Sequence, residues 1–153
     1  MTQGGTAMGA ITGIGHVALK VYDLDRSLAF YRDQLGFPEM MRIDRPEGGL
    51  WLVYLRITDE QFIEIFPGAE NERSPGWNGN AITHVCLTVD DLDAVIDRVT
   101  AAGVPLLIEK KTAMDGNRQA WVEDPDGNRI EFMQIDPASL QMQAIARLRA
   151  EGI

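Results

Sequence analysis

Both histidines of the chain stand at the same place in a repeated stretch: His16 in "IGHVALKVYDLD", from residue 14, and His84 in "ITHVCLTVDDLD", from residue 82. Eight of the twelve positions are identical at an offset of 68. A second echo, at 67 residues, joins Glu64 in "QFIEIF" to Glu131 in "RIEFMQI". A carboxylate set in an aliphatic strand loses its hydration and persists only when paired or ligated. Either histidine alone reads as an ordinary strand residue. Two His and two Glu at matched offsets, with no third histidine in the chain, point to a His16–Glu64–His84–Glu131 metal site. Two neutral imidazoles and two carboxylates balance one divalent cation and leave two octahedral positions open, a set suited to Ni, Co, Mn, Fe or Zn. Open positions are what a catalytic site requires and a structural site avoids.

The elements that must position these residues follow from periodicity. "HVALKV" and "HVCLTV" alternate, with Val17, Leu19, Val21 and Val85, Leu87, Val89 on the aliphatic faces and His16, Ala18, Lys20 and His84, Cys86, Thr88 opposite. A helix follows each. Asp23 or Asp25 caps the first, whose stripe is Leu24, Leu28, Tyr31 and Leu35, and Gly36 ends it. Asp90 or Asp91 caps the second, whose stripe is Leu92, Val95, Ile96 and Val99, with Gly103 as its stop. "EMMRID", "LWLVYLRI" and "QFIEIF" then read as strands, as do "PLLIEKK", "RQAWVED" and "RIEFMQI". The expected architecture is α+β: β-α-β-β-β modules over 13–66 and 82–135, joined by a Pro-, Gly- and Asn-rich linker over 67–81. Residues 1–12 read as a flexible arm. Residues 136–153 read as an added helix, packed through Leu140, Ala144, Ile145 and Leu148 on the body or on a partner subunit. In "EDPDGNRIE", Pro125 and Gly127 or Asn128 make a tight hairpin that holds Glu131 in register.

Composition narrows the partners. The 153 residues are 45% hydrophobic with a net charge of −9, which suits a folded protein and argues against nucleic acid or an anionic membrane as a partner. No apolar run reaches the roughly 20 residues of a membrane span. The single cysteine, Cys86, forms no internal disulfide and fits a reducing cytoplasm. Lys20, Phe62, Phe66, Cys86, Thr88 and Met133 share strand parity with the four ligand candidates and are expected in the substrate pocket. Of these, Cys86 reads better as a packed thiol than as a nucleophile.

The stretches "GHVALKVYDLDRSLAFYRDQLGF", "THVCLTVDDLDAVIDRVTAAGV" and "VEDPDGNRIEF" resemble the vicinal oxygen chelate superfamily, which includes glyoxalase I, methylmalonyl-CoA epimerase, extradiol dioxygenases and the bleomycin-resistance proteins. That resemblance implies a cupped mixed sheet built from paired modules, with His16, Glu64, His84 and Glu131 on the ligand positions. A four-ligand set of this kind looks like bacterial glyoxalase I. It implies a metal-dependent lyase, isomerase or epimerase that removes a proton next to a carbonyl and stabilises the enediolate, with Glu64 or Glu131 as the base. A methylmalonyl-CoA epimerase-like enzyme, a non-haem iron dioxygenase and a non-enzymatic small-molecule binder are the other readings the superfamily offers. Glutathione-dependent members typically carry Asn, Gly and Arg where this chain has Gly68, Thr83 and Lys20. The expected substrate is therefore a small hydroxylated carbonyl compound without a thiol carrier. Modules pair within a chain or across a dimer in this superfamily, and a homodimer is expected.

Overall fold

A computed structural model describes residues 11–152, so most of the arm expected over 1–12 lies outside the described residues. Each half follows the β-α-β-β-β order. The first contains β1 (His16–Val21), α1 (Leu24–Leu28, continued by a π-helical turn over Ala29–Gln34), β2 (Glu39–Asp44), β3 (Leu50–Arg56) and β4 (Phe62–Pro67). The second contains β5 (Val85–Thr88), α2 (Leu92–Ala101), β6 (Ile108–Thr112), β7 (Arg118–Glu123) and β8 (Arg129–Gln134), followed by α3 (Leu140–Ala150). The mixed sheet comes in two four-stranded parts, ordered β1-β4-β3-β2 and β5-β8-β7-β6, so β1 and β5 are each left as an edge strand. In both, the first strand runs parallel to the last and the other pairings are antiparallel.

The two acidic caps are resolved in favour of Asp23, which accepts from the Arg26 N–H, and Asp91, which accepts from the Ala94 N–H. The first helix departs from the regular period expected of it. The Leu35 N–H reaches back five residues to the Phe30 carbonyl at 2.9 Å. Widening the turn in this way lets Phe30, which a 3.6-residue stripe leaves out, turn inward with Leu28, Tyr31 and Leu35. The Phe30 and Tyr31 rings meet edge to face at 4.9 Å. Gly36 ends the turn at φ +80°, with the Arg98 guanidinium packed against its α-carbon. Gly36→Ala is expected to cost about 1–2 kcal/mol, because the left-handed backbone disfavours a Cβ. Urea unfolding of the two proteins measures it.

The core is shared between the halves. Leu28, Phe30, Val53, Leu55 and Ile65 from the first cluster with Leu92, Val99, Val122, Ile130 and Phe132 from the second. Val17, Leu19 and Ile63 line a small apolar cavity together with Val85, Leu87, Ile130 and Tyr31, so the aliphatic faces of the two sheets turn toward one another. Polar ties fix the arrangement: the Tyr31 hydroxyl donates to Asp124 at 2.7 Å, and the Tyr22 N–H donates to Asp126 at 2.8 Å.

The C-terminal helix forms where expected, capped by Ser139, and part of its expected stripe is covered within the chain. Leu140 is 60% exposed and Ala144 is open, while Met142, Ile145 and Leu148 are half-covered. Its first turn is also held by polar contacts. The Leu140 N–H donates to the Asp115 carbonyl at 2.7 Å, and Asn117 donates to Gln141 at 3.0 Å. No described helix is long and apolar enough to cross a membrane.

Candidate functional site

Because the aliphatic faces meet inside the chain, strand alternation turns the opposite faces outward. On the first sheet, register places His16 beside Phe62, Ala18 beside Glu64 and Lys20 beside Phe66, with Tyr54 across from Glu64. On the second, Cys86 lies beside Glu131, Thr88 beside Met133, and Trp121 across from Glu131. His84 lies one residue ahead of β5 rather than within it. By register, Lys20, Phe62 and Phe66 share the face of His16 and Glu64, and Cys86, Thr88 and Met133 share the face of Glu131.

Each half brings its own His and Glu together. His16 Nε2 lies 3.6 Å from Glu64 Oε2, and His84 Nε2 lies 3.3 Å from Glu131 Oε2. Two donors bound at about 2.1 Å in neighbouring positions of one cation are between about 3.0 and 3.5 Å apart; the His84–Glu131 pair falls within that spacing and the His16–Glu64 pair lies just beyond it. Both carboxylates are buried, Glu64 at 7% and Glu131 at 9% exposure, while the His16 side chain is half open. The four residues do not converge within one chain. Among the described residues no three His, Cys, Asp or Glu side chains come together as a metal cluster.

Supporting groups surround each pair. The Thr83 hydroxyl lies 3.0 Å from His84 Nδ1. If Nδ1–H donates to it, the Nε2 lone pair is free on the Glu131 side. Tyr54 sits against Glu64, whose carboxylate raises the Tyr54 phenol above its ordinary range. Cys86 is exposed on the open face instead of packed in the core. Desolvation and the Glu131 carboxylate push its thiol up to about 12, which keeps it protonated and unsuited to nucleophilic attack.

An aromatic wall completes the second face, and the sequence reading missed it. The Trp121 ring lies 4.7 Å from His84, and Trp77, from the linker, lies 5.8 Å from Trp121. Trp121 also donates to Gln119, its neighbour on the same face. The alternation of "RQAWVED" carries a signal for Trp121, since a strand antiparallel to β8 must place every second residue on the Glu131 side. Nothing in the linker sequence signals Trp77.

Paired β-α-β-β-β modules, each presenting one His–Glu pair on an open sheet face, define a vicinal-oxygen-chelate type of protein. Residues 13–132 match the Glyoxalase/Bleomycin resistance protein/Dioxygenase superfamily, and the chain belongs to it. A lactoylglutathione lyase of Haemophilus influenzae is 35% identical over 126 residues, spanning 78% of this chain and 90% of that protein. Among solved structures, the trypanothione-dependent glyoxalase I of Leishmania major is 26% identical with a TM-score of 0.66, covering 93% of this chain and 99% of that one. An antibiotic-binding protein from a Streptomyces species, 22% identical with a TM-score of 0.62 over 83% of this chain and 98% of its own, shares the fold.

Proposed function

We propose that two copies of the chain build metal-dependent active sites of the glyoxalase I kind, each from His16 and Glu64 of one protomer and His84 and Glu131 of its partner. The reaction is a lyase-type proton transfer next to the carbonyl of a small hydroxy-carbonyl compound. One observation carries the reading: each half brings a His and a Glu side by side, 3.6 and 3.3 Å apart, and the two pairs look away from each other within the chain. A second copy is the simplest source of the missing half. Its docking would also satisfy the free edges of β1 and β5 and cover Ile14 and Ile82, the equivalent residues two places before each histidine, which are 76% and 80% exposed.

A divalent cation held by the four side chains would supply positive charge beside the substrate oxygens and so lower the cost of removing the neighbouring proton. The chain supplies the rest. Glu64 or Glu131 accepts the proton from the α-carbon and returns it to the adjacent carbon, a transfer that requires the carboxylate to reach within about 3 Å of that hydrogen. Tyr54 and Thr83 orient the two halves, and the Trp121 ring walls off the face beside His84. Lys20, Gly68 and Thr83 stand where glutathione-dependent enzymes carry other residues, and Thr83 is engaged with His84. These positions favour a substrate without a thiol carrier, whereas the names of the relatives favour the hemithioacetal of methylglyoxal and glutathione.

Metal-loaded protein incubated in deuterated water with that hemithioacetal and with carrier-free hydroxyaldehydes and ketoses, followed by NMR, tests both points. Deuterium is expected at the carbon next to the carbonyl of a carrier-free compound. The exchange should stop after chelation and return on adding Ni or Zn. No metal-dependent exchange with any compound would overturn the reading, and exchange only with the hemithioacetal would overturn the substrate assignment.

A further inference from the structure

Beside the His84–Glu131 pair lies a guanidinium whose chemistry is unused. Arg129 precedes Glu131 by two residues on β8, and its carbon sits 3.8 Å from the centre of the Trp77 ring. Its Nε and Nη1 are buried and find no acceptor among the described residues. Stacking on an indole face leaves the in-plane N–H groups to be satisfied by something else, and a charged donor without an acceptor is costly.

The surroundings say what kind of group fits. Arg129 lines a cavity of about 220 Å3 together with His84, Thr83, Asn128, Ser74 and Lys20. No Asp or Glu side chain lines it, although the chain as a whole carries a net charge of −9. Among the described residues Lys20 makes no ion pair. A cavity lined by two cations and no carboxylate favours an anion, and a planar guanidinium offers the paired donors that carboxylate and phosphate oxygens accept.

We propose that Arg129 is the specificity-determining anchor for a negatively charged group, a carboxylate or phosphate, on the hydroxy-carbonyl substrate. This deepens the preceding reading and rests on it for the placement of the reacting carbonyl near His84. An anion held by Arg129 leaves the remainder of a three- or four-carbon compound to extend toward the His84–Glu131 pair. Trp77, which covers the guanidinium, shifts or lifts as the anion takes up the buried donors.

The test is a tryptophan-fluorescence titration of metal-free protein, which needs no turnover and so separates this proposal from the catalytic one. The probes are dihydroxyacetone, dihydroxyacetone phosphate and hydroxypyruvate, on the wild type and on Arg129→Met and Arg129→Lys. Losing one partner of a buried charge-assisted contact corresponds to about 30-fold or more in affinity. The charged compounds should bind the wild type at least that much more tightly than dihydroxyacetone, R129M should erase the difference, and R129K should keep part of it. A preference for either charged compound supports the proposal and names the anion. Equal binding of charged and neutral compounds, or an unchanged preference in R129M, overturns it. If R129M melts well below the wild type, competition on the wild-type protein decides: inorganic phosphate should displace dihydroxyacetone phosphate, and failure to do so overturns the proposal.

Discussion

Mixing two inactive variants, Glu64→Gln and Glu131→Gln, is expected to restore about one quarter of wild-type turnover when their subunits are allowed to exchange. Each variant alone should lose about 10³-fold, the scale of a lost proton-transfer group. Neither should unfold. Both carboxylates are buried, each beside an imidazole and one neutral donor, Tyr54 for Glu64 and Cys86 for Glu131, so the neutral amide of the same shape relieves a desolvation cost. The recovery follows from which faces meet. With the His–Glu faces of one chain turned apart, a site of the proposed kind takes the first half of one protomer and the second half of the other. A mixed dimer then has one site with both defects and one with neither. Random exchange makes about half of the dimers mixed, and half of their sites are intact. Were the two halves of one chain to share a site, every combination would carry a defect and mixing would restore nothing. Activity before and after exchange, with thermal melts of each variant, reads the outcome directly.

The strands and the four ligand candidates were legible because they depend on short-range pattern. Alternation fixed the faces of β1 and β5, and a duplicated module repeats its buried carboxylate at the same strand position, so Glu64 and Glu131 announce each other. Other features depend on contacts that the local pattern does not encode. Tyr54 and Trp121 reach the ligand faces through antiparallel register across a hairpin. Trp77 reaches Trp121 only because Ser74 is tied to the β7–β8 hairpin, its N–H donating to the Asp126 carbonyl at 2.7 Å and its hydroxyl to the Gly127 carbonyl at 2.9 Å. The π turn answers a packing demand, two adjacent aromatic rings both directed inward, that a helical period cannot express. The divergence of the two His–Glu pairs was the least legible feature. It is set by how the halves dock, through contacts such as Tyr31 with Asp124, 93 residues apart.

That contact supports the second large effect: Asp124→Ala is expected to cost about 4 kcal/mol or more, among the largest losses from any single polar substitution here. Asp124 is 3% exposed and accepts four hydrogen bonds. One oxygen takes the Asp126 and Asn128 backbone N–H groups at 2.9 and 2.7 Å; the other takes the Tyr31 hydroxyl at 2.7 Å and the Asn128 amide at 2.9 Å. Alanine would strand these donors in the interior, loosen the hairpin that leads into Arg129 and Glu131, and remove the polar tie between the halves. Tyr31→Phe isolates one part of this arrangement and gives it a pH signature. Burial first, and then the Asp124 carboxylate, hold the Tyr31 phenol well above its ordinary value. The folded protein therefore keeps a proton that the unfolded chain releases above about pH 10. For a group whose pKa is raised on folding, the stabilisation is complete below the unfolded value and is lost as pH rises toward the folded one. Wild-type stability should fall by about 1.4 kcal/mol per pH unit above pH 10 from this group alone. Tyr31→Phe should start about 1–2 kcal/mol lower at pH 7, because Asp124 loses a donor, and should lack that part of the alkaline fall. Urea unfolding of both proteins at pH 7, 9, 10 and 11 makes the comparison, in which the exposed lysines and tyrosines common to both cancel. Parallel curves across that range would show that the Tyr31 proton is not retained by folding.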